Sequence, residues 1–203
     1  MTALAALSVV VSILALTVSG ITAWLTLLRR GTVKMTQPTV IYFGPDGGWR
    51  ERPPLKVFLR TLLYATGKRG CIVEGMFIRL RRGETSQNFS VWVYGETGNL
   101  HRGSGLAVPE GGIAADHHFV LPSDGTPFQF LPGSYALDVF AILVGDHASL
   151  LLYSIQLELS SDHANALLQP EQGVYFDWGP DAGRYYAHVR PHPAPPALQE
   201  MLP

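Results

Sequence analysis

The sequence predicts a mainly β protein, an antiparallel β-sandwich that follows one membrane-spanning helix. Two observations predict this class. Residues 1–28 contain no charged side chain, whereas residues 38–190 contain short segments in which apolar and polar residues alternate. Hydrophobic residues make up 47% of the chain and charged residues 15%, which is the composition of a protein with a packed core rather than of a disordered chain.

The first predicted element is the apolar segment 1–28. About 20 apolar residues in a helix cross the hydrocarbon core of a bilayer, so this segment is long enough to span it with some tilt. A cleaved signal peptide would need a positively charged start, and the first Lys or Arg of the chain is Arg29. We therefore expect an uncleaved, single-pass transmembrane anchor over residues 1–30.

A short basic linker, residues 31–37, follows the anchor. Arg29, Arg30 and Lys34 lie on this side of the helix, and the other side offers only the α-amino group. Because cytoplasmic flanks carry the excess of Lys and Arg, we expect the following domain in the cytoplasm, with these three cations at anionic lipid headgroups. A periplasmic domain is the alternative, since almost no loop exists on the far side to give a contrast in charge.

Small side chains recur along one face of the predicted helix. They are Ser8, Ser12, Ala15, Ser19 and Thr22. Their spacing alternates between four and three residues, a period of 3.5 that favours a left-handed helix crossing. Small residues let membrane helices approach closely, so this face predicts a homo-oligomer or a partner membrane helix. Further small residues lie off this face, so the ordinary composition of a membrane helix is the alternative.

Eight segments after the linker have the alternation of β-strands, and turns rich in Gly, Pro, Asn and Asp separate them. This number of short strands at this spacing favours an antiparallel sandwich. The lone cysteine, Cys71, is predicted to be a small buried apolar residue of the third strand rather than a reactive thiol. The predicted strands are 38–44, 55–64, 71–82, 88–95, 113–121, 127–131, 134–144 and 149–159.

The C-terminal part of the chain predicts a short helix and then a hairpin. Ser161 is the expected N-cap of a helix within 160–170. The stretch "GVYFDWGPDAGRYYAHV", residues 173–189, predicts two strands, 173–178 and 184–189, around a turn of Gly, Pro, Asp, Ala and Gly. Its aspartates, Asp177 and Asp181, then belong to a hairpin, and a catalytic role for them is the alternative. The sandwich should cover 38–190, and the Pro-rich tail 191–203 should be disordered.

One local motif sharpens the predicted class. Gly133-x-Tyr135 stands at the start of a predicted strand, where immunoglobulin-like sandwiches often place a Tyr whose hydroxyl bonds back to nearby backbone. Together with the "RR" flank of the anchor, "PTVIYF" and "KVFLRTLLY", this layout resembles uncharacterised bacterial single-pass membrane proteins with an N-terminal helix and one immunoglobulin-like domain. The resemblance implies a bacterial inner-membrane location and an immunoglobulin-like β-sandwich. It implies no activity and no site residues.

The two parts of the chain after the anchor differ in charge. Residues 29–82 carry twelve Lys or Arg and three Asp or Glu, whereas residues 83–203 carry three and thirteen. A basic surface beside the membrane is one interpretation, with Lys68 and Arg69 among its members. Pairing of basic strands with acidic strands is the other. Nucleic-acid binding is not expected, because the domain is not basic overall and has no recognised nucleic-acid motif.

The sequence contains no complete motif for catalysis. "ATGKRG" has Leu62 where a phosphate-binding loop needs its first glycine, and neither G-x-S-x-G nor H-E-x-x-H occurs. Three of the seven histidines follow an aspartate, and the metal ligands that this pairing suggests are Asp116, His118 and His163. In a strand, Asp116 and His118 would share one face and His117 would lie on the other. Neither His118 nor His163, however, belongs to a His-x-His or His-x-x-x-His spacing.

Two classes of function follow from these observations. The first is a non-catalytic binding or scaffold module, anchored in the membrane, with an unknown protein partner and no cofactor. The second is a metal-dependent hydrolase that uses the Asp-His pairs. The absence of a catalytic motif favours the first class.

Overall fold

The computed structural model describes residues 3–28, 31–46, 53–96, 99–103, 105–122 and 128–191. Helix α1, Ala3–Ala23, continues into a π-helical turn, Trp24–Leu28, and none of the residues of α1 is buried. The segment Ala3–Thr26 contains an 18-residue window with a mean hydropathy of 2.4 and is long and apolar enough to cross a membrane, by length and composition. Thirteen described strands and a second short helix follow.

The strands in chain order are β1 Val33–Met35, β2 Val40–Pro45, β3 Leu55–Ala65, β4 Cys71–Arg82, β5 Thr85–Phe89, β6 Val91–Glu96, β7 Asn99–Arg102, β8 Leu106–Val108, β9 Ile113–Val120, β10 Gly133–Leu143, β11 Leu150–Leu159, β12 Gln172–Gly179 and β13 Arg184–Pro191. Helix α2, Ser161–Ala166, lies between β11 and β12. All described pairings are antiparallel. The mainly β, two-sheet class predicted from the alternation is therefore confirmed.

The strands form two sheets. Among the described residues, the larger sheet has the order β13-β12-β2-β3-β9-β6-β7, with β1 also paired to β3. The smaller sheet has the order β11-β10-β4-β5, with β8 also paired to β4. Because successive side chains of a strand point to opposite faces, each sheet presents one face to the shared core and one outward.

The core is aromatic in its centre. The ring of Phe43 stacks on that of Phe130 at 5.0 Å and meets the edge of Phe176 at 5.2 Å. Phe89 and Tyr135 add to the same cluster, and these five side chains are at most 2% exposed. Burial of this apolar surface on both inner faces is the main stabilisation of the two-sheet arrangement.

The hydroxyl of Tyr135 bonds back to the chain, as its position at a strand start predicts. The hydroxyl donates to the carbonyl of Leu131 at 2.8 Å and accepts from the amide of Leu131 at 2.9 Å. Gly133, with φ of 138°, allows the sharp change of direction between the two residues.

Two of the strand predictions are wrong. Segment 88–95 forms two strands, β5 and β6, which belong to different sheets. Phe89 and Trp92, three residues apart, both reach the core, because the chain crosses from one sheet to the other between them. Segment 127–131 is not a strand over its described residues, since the backbone of Leu131 bonds the Tyr135 hydroxyl and not a neighbouring strand.

Smaller differences concern the ends of elements. The N-cap of α2 is Ser160 rather than Ser161, because the Ser160 side chain accepts a hydrogen bond from the amide of His163 at 3.1 Å. Residues 33–35, within the expected linker, form β1. The short strands β7 and β8 were not predicted, because their sequences show no clear alternation of apolar and polar residues. The predicted hairpin is confirmed as β12 and β13, with Gly183 at φ of 63° in its turn.

Candidate binding face

The outer face of the larger sheet carries a row of aromatic and imidazole rings. Each ring stands on a different strand, and the row follows the register of the pairing, so each member is the direct partner of the next. It spans four inter-strand gaps of about 4.8 Å, or about 19 Å. The members, from β13 to β9, are His188, Tyr175, Tyr42, Phe58 and His118. We call this set the ring row.

Three of the four neighbouring pairs in the ring row have their rings in contact. Ring centroids lie 5.9 Å apart for Tyr175 and His188 and 4.8 Å apart for Tyr42 and Tyr175. The rings of Phe58 and His118 are also 4.8 Å apart. Cross-strand aromatic contacts of this kind stabilise a sheet and present a broad, rigid surface at low conformational cost.

Tyr42 is the most buried member of the ring row, although it lies on the outer face. Only 2% of it is exposed, and its hydroxyl donates to the carbonyl of Pro45 at 3.0 Å. The ring lies directly over Gly44 and Gly173, because a Cβ on either glycine would overlap it. Burial, with Tyr175 and Asp46 nearby, raises the pKa of this hydroxyl well above its usual value, so Tyr42 is uncharged at neutral pH.

Charged side chains flank the ring row on both sides. Arg60 on β3 meets Asp116 on β9 at 2.9 Å, and Lys56 meets Asp46 at 3.0 Å. The ammonium of Lys56 also lies 5.7 Å from the centre of the Tyr42 ring. Exposed arginines beside half-buried aromatic rings are the combination that is enriched in protein interfaces.

The hairpin supplies the other charged flank. The Asp177 carboxylate lies 3.5 Å from both the His188 imidazole and the Arg190 guanidinium. The guanidinium of Arg190 is 5.4 Å from the centre of the Tyr175 ring. Contacts of 3.5 Å are at the outer limit of a hydrogen bond, so these groups form a loose, half-exposed ionic cluster and not a tightly held catalytic pair.

The predicted metal ligands do not form a metal site. As predicted, Asp116 and His118 share the outer face of β9, and His117 lies on the core face. Asp116, however, is paired with Arg60, and His163 lies on α2. Among the residues that the structure describes, no group of three His, Cys, Asp or Glu side chains is placed to hold a metal ion.

The two adjacent histidines of β9 are both kept neutral by burial. Loss of solvent lowers the pKa of His117 to about 4, and its neighbour His118 lowers it further. Burial likewise lowers the pKa of His118 to about 4, with Lys56 acting in the same direction and Asp46 and Asp116 opposing it. Nδ1 of His117 accepts a hydrogen bond from the indole N–H of Trp92 at 3.2 Å.

The structure answers part of the question about uneven charge. Arg60 on β3 pairs with Asp116 on β9, and Arg81 on β4 pairs with Asp138 on β10 at 2.8 Å. Both pairs join a basic strand to an acidic strand, as the interleaving interpretation predicts. Lys68 and Arg69, in the turn between β3 and β4, are exposed.

The remaining predicted residues divide into described and undescribed ones. Arg29 and Arg30 lie outside the described residues, and Lys34 is exposed on β1. In the small face of α1, the hydroxyls of Ser8, Ser12 and Thr22 donate to carbonyls of the preceding turn. These three residues are exposed, and so are Ala15 and Ser19. Cys71 is half-buried rather than fully buried, and burial raises the pKa of its thiol.

The alternation within each strand places the members of the ring row on the outer face, but their alignment in one row comes from strand pairing. His188 and His118 are 70 positions apart in the numbering and still belong to one continuous row. Comparison with known proteins found no match to the chain among family models, curated proteins or solved structures.

Proposed function

We propose that this chain is a membrane-anchored β-sandwich that binds another protein through the ring row and does not itself catalyse a reaction. The observation that carries the proposal is the row of rings at paired positions on five neighbouring strands, flanked by exposed arginines. Half-buried rings stand on both sides of the buried Tyr42, and charged groups stand at the rim. Aromatic rings inside a charged rim are the anatomy of a protein interface.

The location of the module rests on the N-terminal helix. We propose that α1 is an uncleaved single-pass anchor in a bacterial inner membrane and that the sandwich is cytoplasmic. The support is the apolar length of Ala3–Thr26 and the cations that follow it in the sequence, Arg29, Arg30 and Lys34. The small face of the helix, which includes Ser8 and Ser19, supports packing against a second copy or a partner membrane helix.

The sandwich belongs, in this proposal, to the immunoglobulin-like type. The hydroxyl of Tyr135 makes two hydrogen bonds to the backbone four residues upstream, at the start of a central strand of the smaller sheet. This arrangement is the tyrosine corner that many such domains share. Immunoglobulin-like domains serve many unrelated functions, so the ring row and not the fold carries the assignment of function.

Site-specific photo-crosslinking tests the proposed interface. A benzoylphenylalanine at Tyr175 reports on the ring row, and one at Gln156, which is exposed on β11 of the other sheet, is the matched control. In membranes of the native cell, we expect a discrete crosslinked product from position 175 and none from position 156. Arg190→Glu should abolish the product, because it reverses the charge beside Tyr175.

Two outcomes would contradict the proposal. Equal crosslinking from both positions would mean that the ring row is not a preferred surface. An unchanged crosslinked product in a folded Arg190→Glu protein would mean that the charged flank is not part of the interface. Mixing two differently tagged copies of the chain shows whether the partner is a second copy.

A further inference from the structure

The end of the sandwich beside the anchor is fixed by the backbone of residues 31–32. Gly31 follows the last described helical residue, Leu28, by three Cα–Cα steps of about 3.8 Å, so it lies within about 11 Å of it. Gly31 packs against the backbone of Gly67, because a Cβ there would overlap it. The amide of Thr66 donates to the carbonyl of Thr32 at 2.8 Å. The turn between β3 and β4 is therefore held close to the end of the helix. We call this end of the sandwich the anchor pole.

An open cleft of about 800 Å³ lies at the anchor pole. Gly31 is part of its wall, and the rest of the wall is mainly apolar, including Ile72, Val108 and Val144. Ile72 is 52% exposed and Val144 59% exposed. The amide of Val144 donates to the carbonyl of Ile72 at 3.0 Å, which holds the two exposed side chains next to each other.

Charged side chains of both signs lie at the anchor pole, and two of them, Arg69 and Asp146, line the same cleft as the apolar pair. Lys68 and Arg69 are exposed in the turn that bonds Thr32, and Lys34 is exposed on β1. Glu110 and Asp146 are exposed on neighbouring turns, and Glu74 is exposed on β4 two residues after Ile72, so the described residues at this pole carry both signs. In the sequence, Arg29 and Arg30 add two more cations between the helix and Gly31.

We propose that the anchor pole docks on the surface of the bilayer that α1 spans. In this arrangement Ile72 and Val144 enter the interfacial layer, and Lys68 and Arg69 contact the phosphates of anionic phospholipids. The proposal rests on the transmembrane role of α1 given under the proposed function. The bilayer is the occupant because only two residues separate Leu28 from Gly31, which keeps this pole at the membrane surface. Exposed apolar and basic groups have complementary partners there.

The consequence is a defined orientation of the sandwich. Strand β10 contains 11 residues and ends just before Val144, so it spans about 35 Å at about 3.3 Å per residue. The opposite end, which holds Leu131 and the Tyr135 hydroxyl, then points away from the bilayer. Docking would restrict the tilt of the sandwich and keep the ring row at a fixed angle to the membrane.

Depth-dependent fluorescence quenching tests this docking on the full chain. In a Cys71→Ser background, single cysteines at Val144 and at Leu131 are labelled with the same small fluorophore. Leu131 is the matched control because it is an apolar residue, 41% exposed, at the opposite end of β10. Each protein is reconstituted into vesicles of phosphatidylcholine, alone or mixed with phosphatidylglycerol, that contain a lipid with a nitroxide near the headgroup.

The expected result is strong quenching of the label at position 144 and background quenching at position 131. Phosphatidylglycerol should increase the quenching at position 144, and Lys68→Glu with Arg69→Glu should remove that increase. Equal quenching at the two positions would overturn the docking. A label at position 144 that is shielded from an aqueous quencher but not quenched by lipid would mean that protein covers the pole, and this also overturns the proposal.

Flotation of the same vesicles separates the two proposals. A chain that does not float with the vesicles lacks the anchor, and the proposed membrane location fails. A chain that floats but shows equal quenching at positions 144 and 131 keeps the anchor and loses the docking. An increase in quenching that survives Lys68→Glu and Arg69→Glu would contradict the assignment of these two residues to anionic lipid.

Discussion

His117 is a titratable residue in an environment very different from that of a free side chain. It is fully buried between the sheets, its Nδ1 accepts from Trp92, and its Nε2 has no hydrogen-bond partner among the described residues. A neutral imidazole fits this position, whereas a charged one would need a partner that these residues do not supply. Burial accordingly lowers the pKa of His117 to about 4.

We predict that acid destabilises the fold through His117. The folded pKa of about 4 lies below the unfolded value of 6.5, so the stability from this group is complete above pH 6.5 and is lost as the pH falls toward 4. One pKa unit corresponds to about 1.4 kcal/mol, so the loss over this range is on the order of 3 kcal/mol. His118 titrates in the same direction and adds to the effect.

Urea unfolding of the detergent-solubilised chain at pH 7 and at pH 4 measures this loss. His117→Gln keeps an acceptor for Trp92 without a titratable group, so the variant should lose clearly less stability between the two pH values than the wild type. An equal loss in both proteins would show that His117 does not control the acid response.

Gly173→Ala should destabilise the larger sheet. A methyl group at this position overlaps the ring of Tyr42, which must then leave its place over Gly44 and Gly173. We expect a loss of about 1–3 kcal/mol, the usual cost of overpacking. Gly75→Ala is the matched control, because Gly75 is also in a strand and an added Cβ would meet nothing within 4 Å. Thermal unfolding compares the two variants, and equal melting temperatures would contradict the described position of Tyr42.

At the residue scale, the positions of the site residues could be predicted from the sequence only in part. That Asp116 and His118 would share one face of a strand, with His117 on the other, follows from the period of two, and the structure confirms it. That Asp116 would meet Arg60, and that His118 would meet Phe58, depends on which strand lies next to β9. No local pattern contains that information, so the expected metal ligands were grouped by residue type and not by position in the sheet.

At the scale of elements, the tyrosine corner should stabilise the start of β10. Tyr135→Phe removes both hydrogen bonds to Leu131, and we expect a loss of about 1–2 kcal/mol. Tyr186→Phe is the control: Tyr186 is 43% exposed, and its loss should stay within about 0.5 kcal/mol. Chemical denaturation measures both losses of unfolding free energy. Similar losses in the two variants would show that the hydrogen bonds of Tyr135 do not stabilise the fold.

The turn of the terminal hairpin should tolerate loss of its aspartate better than loss of its glycine. Gly183 has φ of 63°, so Gly183→Ala should cost about 1 kcal/mol or more. Asp181→Ala should cost less than about 1 kcal/mol and leave crosslinking at position 175 unchanged. Thermal unfolding and the crosslinking assay measure both effects. If a folded Asp181→Ala protein lost crosslinking, the assignment of this aspartate to a purely structural turn would be wrong.

Long strands with clear alternation were predictable as elements. The bounds of β4, Cys71–Arg82, match the predicted segment, in which Ile78 and Leu80 alternate with Arg79 and Arg81 and which glycine-containing turns flank on both sides. The change of sheet between β5 and β6 was not predictable, because a single exposed residue, Ser90, separates two segments of strand composition. Strands of three residues, such as β1 and β8, are too short for a period of two to be visible.

At the scale of the whole molecule, the order of the strands in the sheets could not be predicted from the sequence. The alternation indicates an antiparallel sandwich, but the pairing of β3 with β9 and of β2 with β12 joins segments that lie far apart in the chain. The ring row arises from these pairings, and the apolar pair of the anchor pole lies next to the pairing of β4 with β10. The apolar N-terminal helix, in contrast, was fully visible, because its length and composition alone define it.

The proposed location requires that α1 anchors the sandwich in a membrane with the domain on the cytoplasmic side. Fusion of green fluorescent protein or of alkaline phosphatase after Pro203 in a bacterial host, with fractionation of membranes, tests it most directly. We expect fusion protein in the membrane fraction, with fluorescence and no phosphatase activity. Phosphatase activity without fluorescence, or release of the fusion into a soluble fraction, would contradict it.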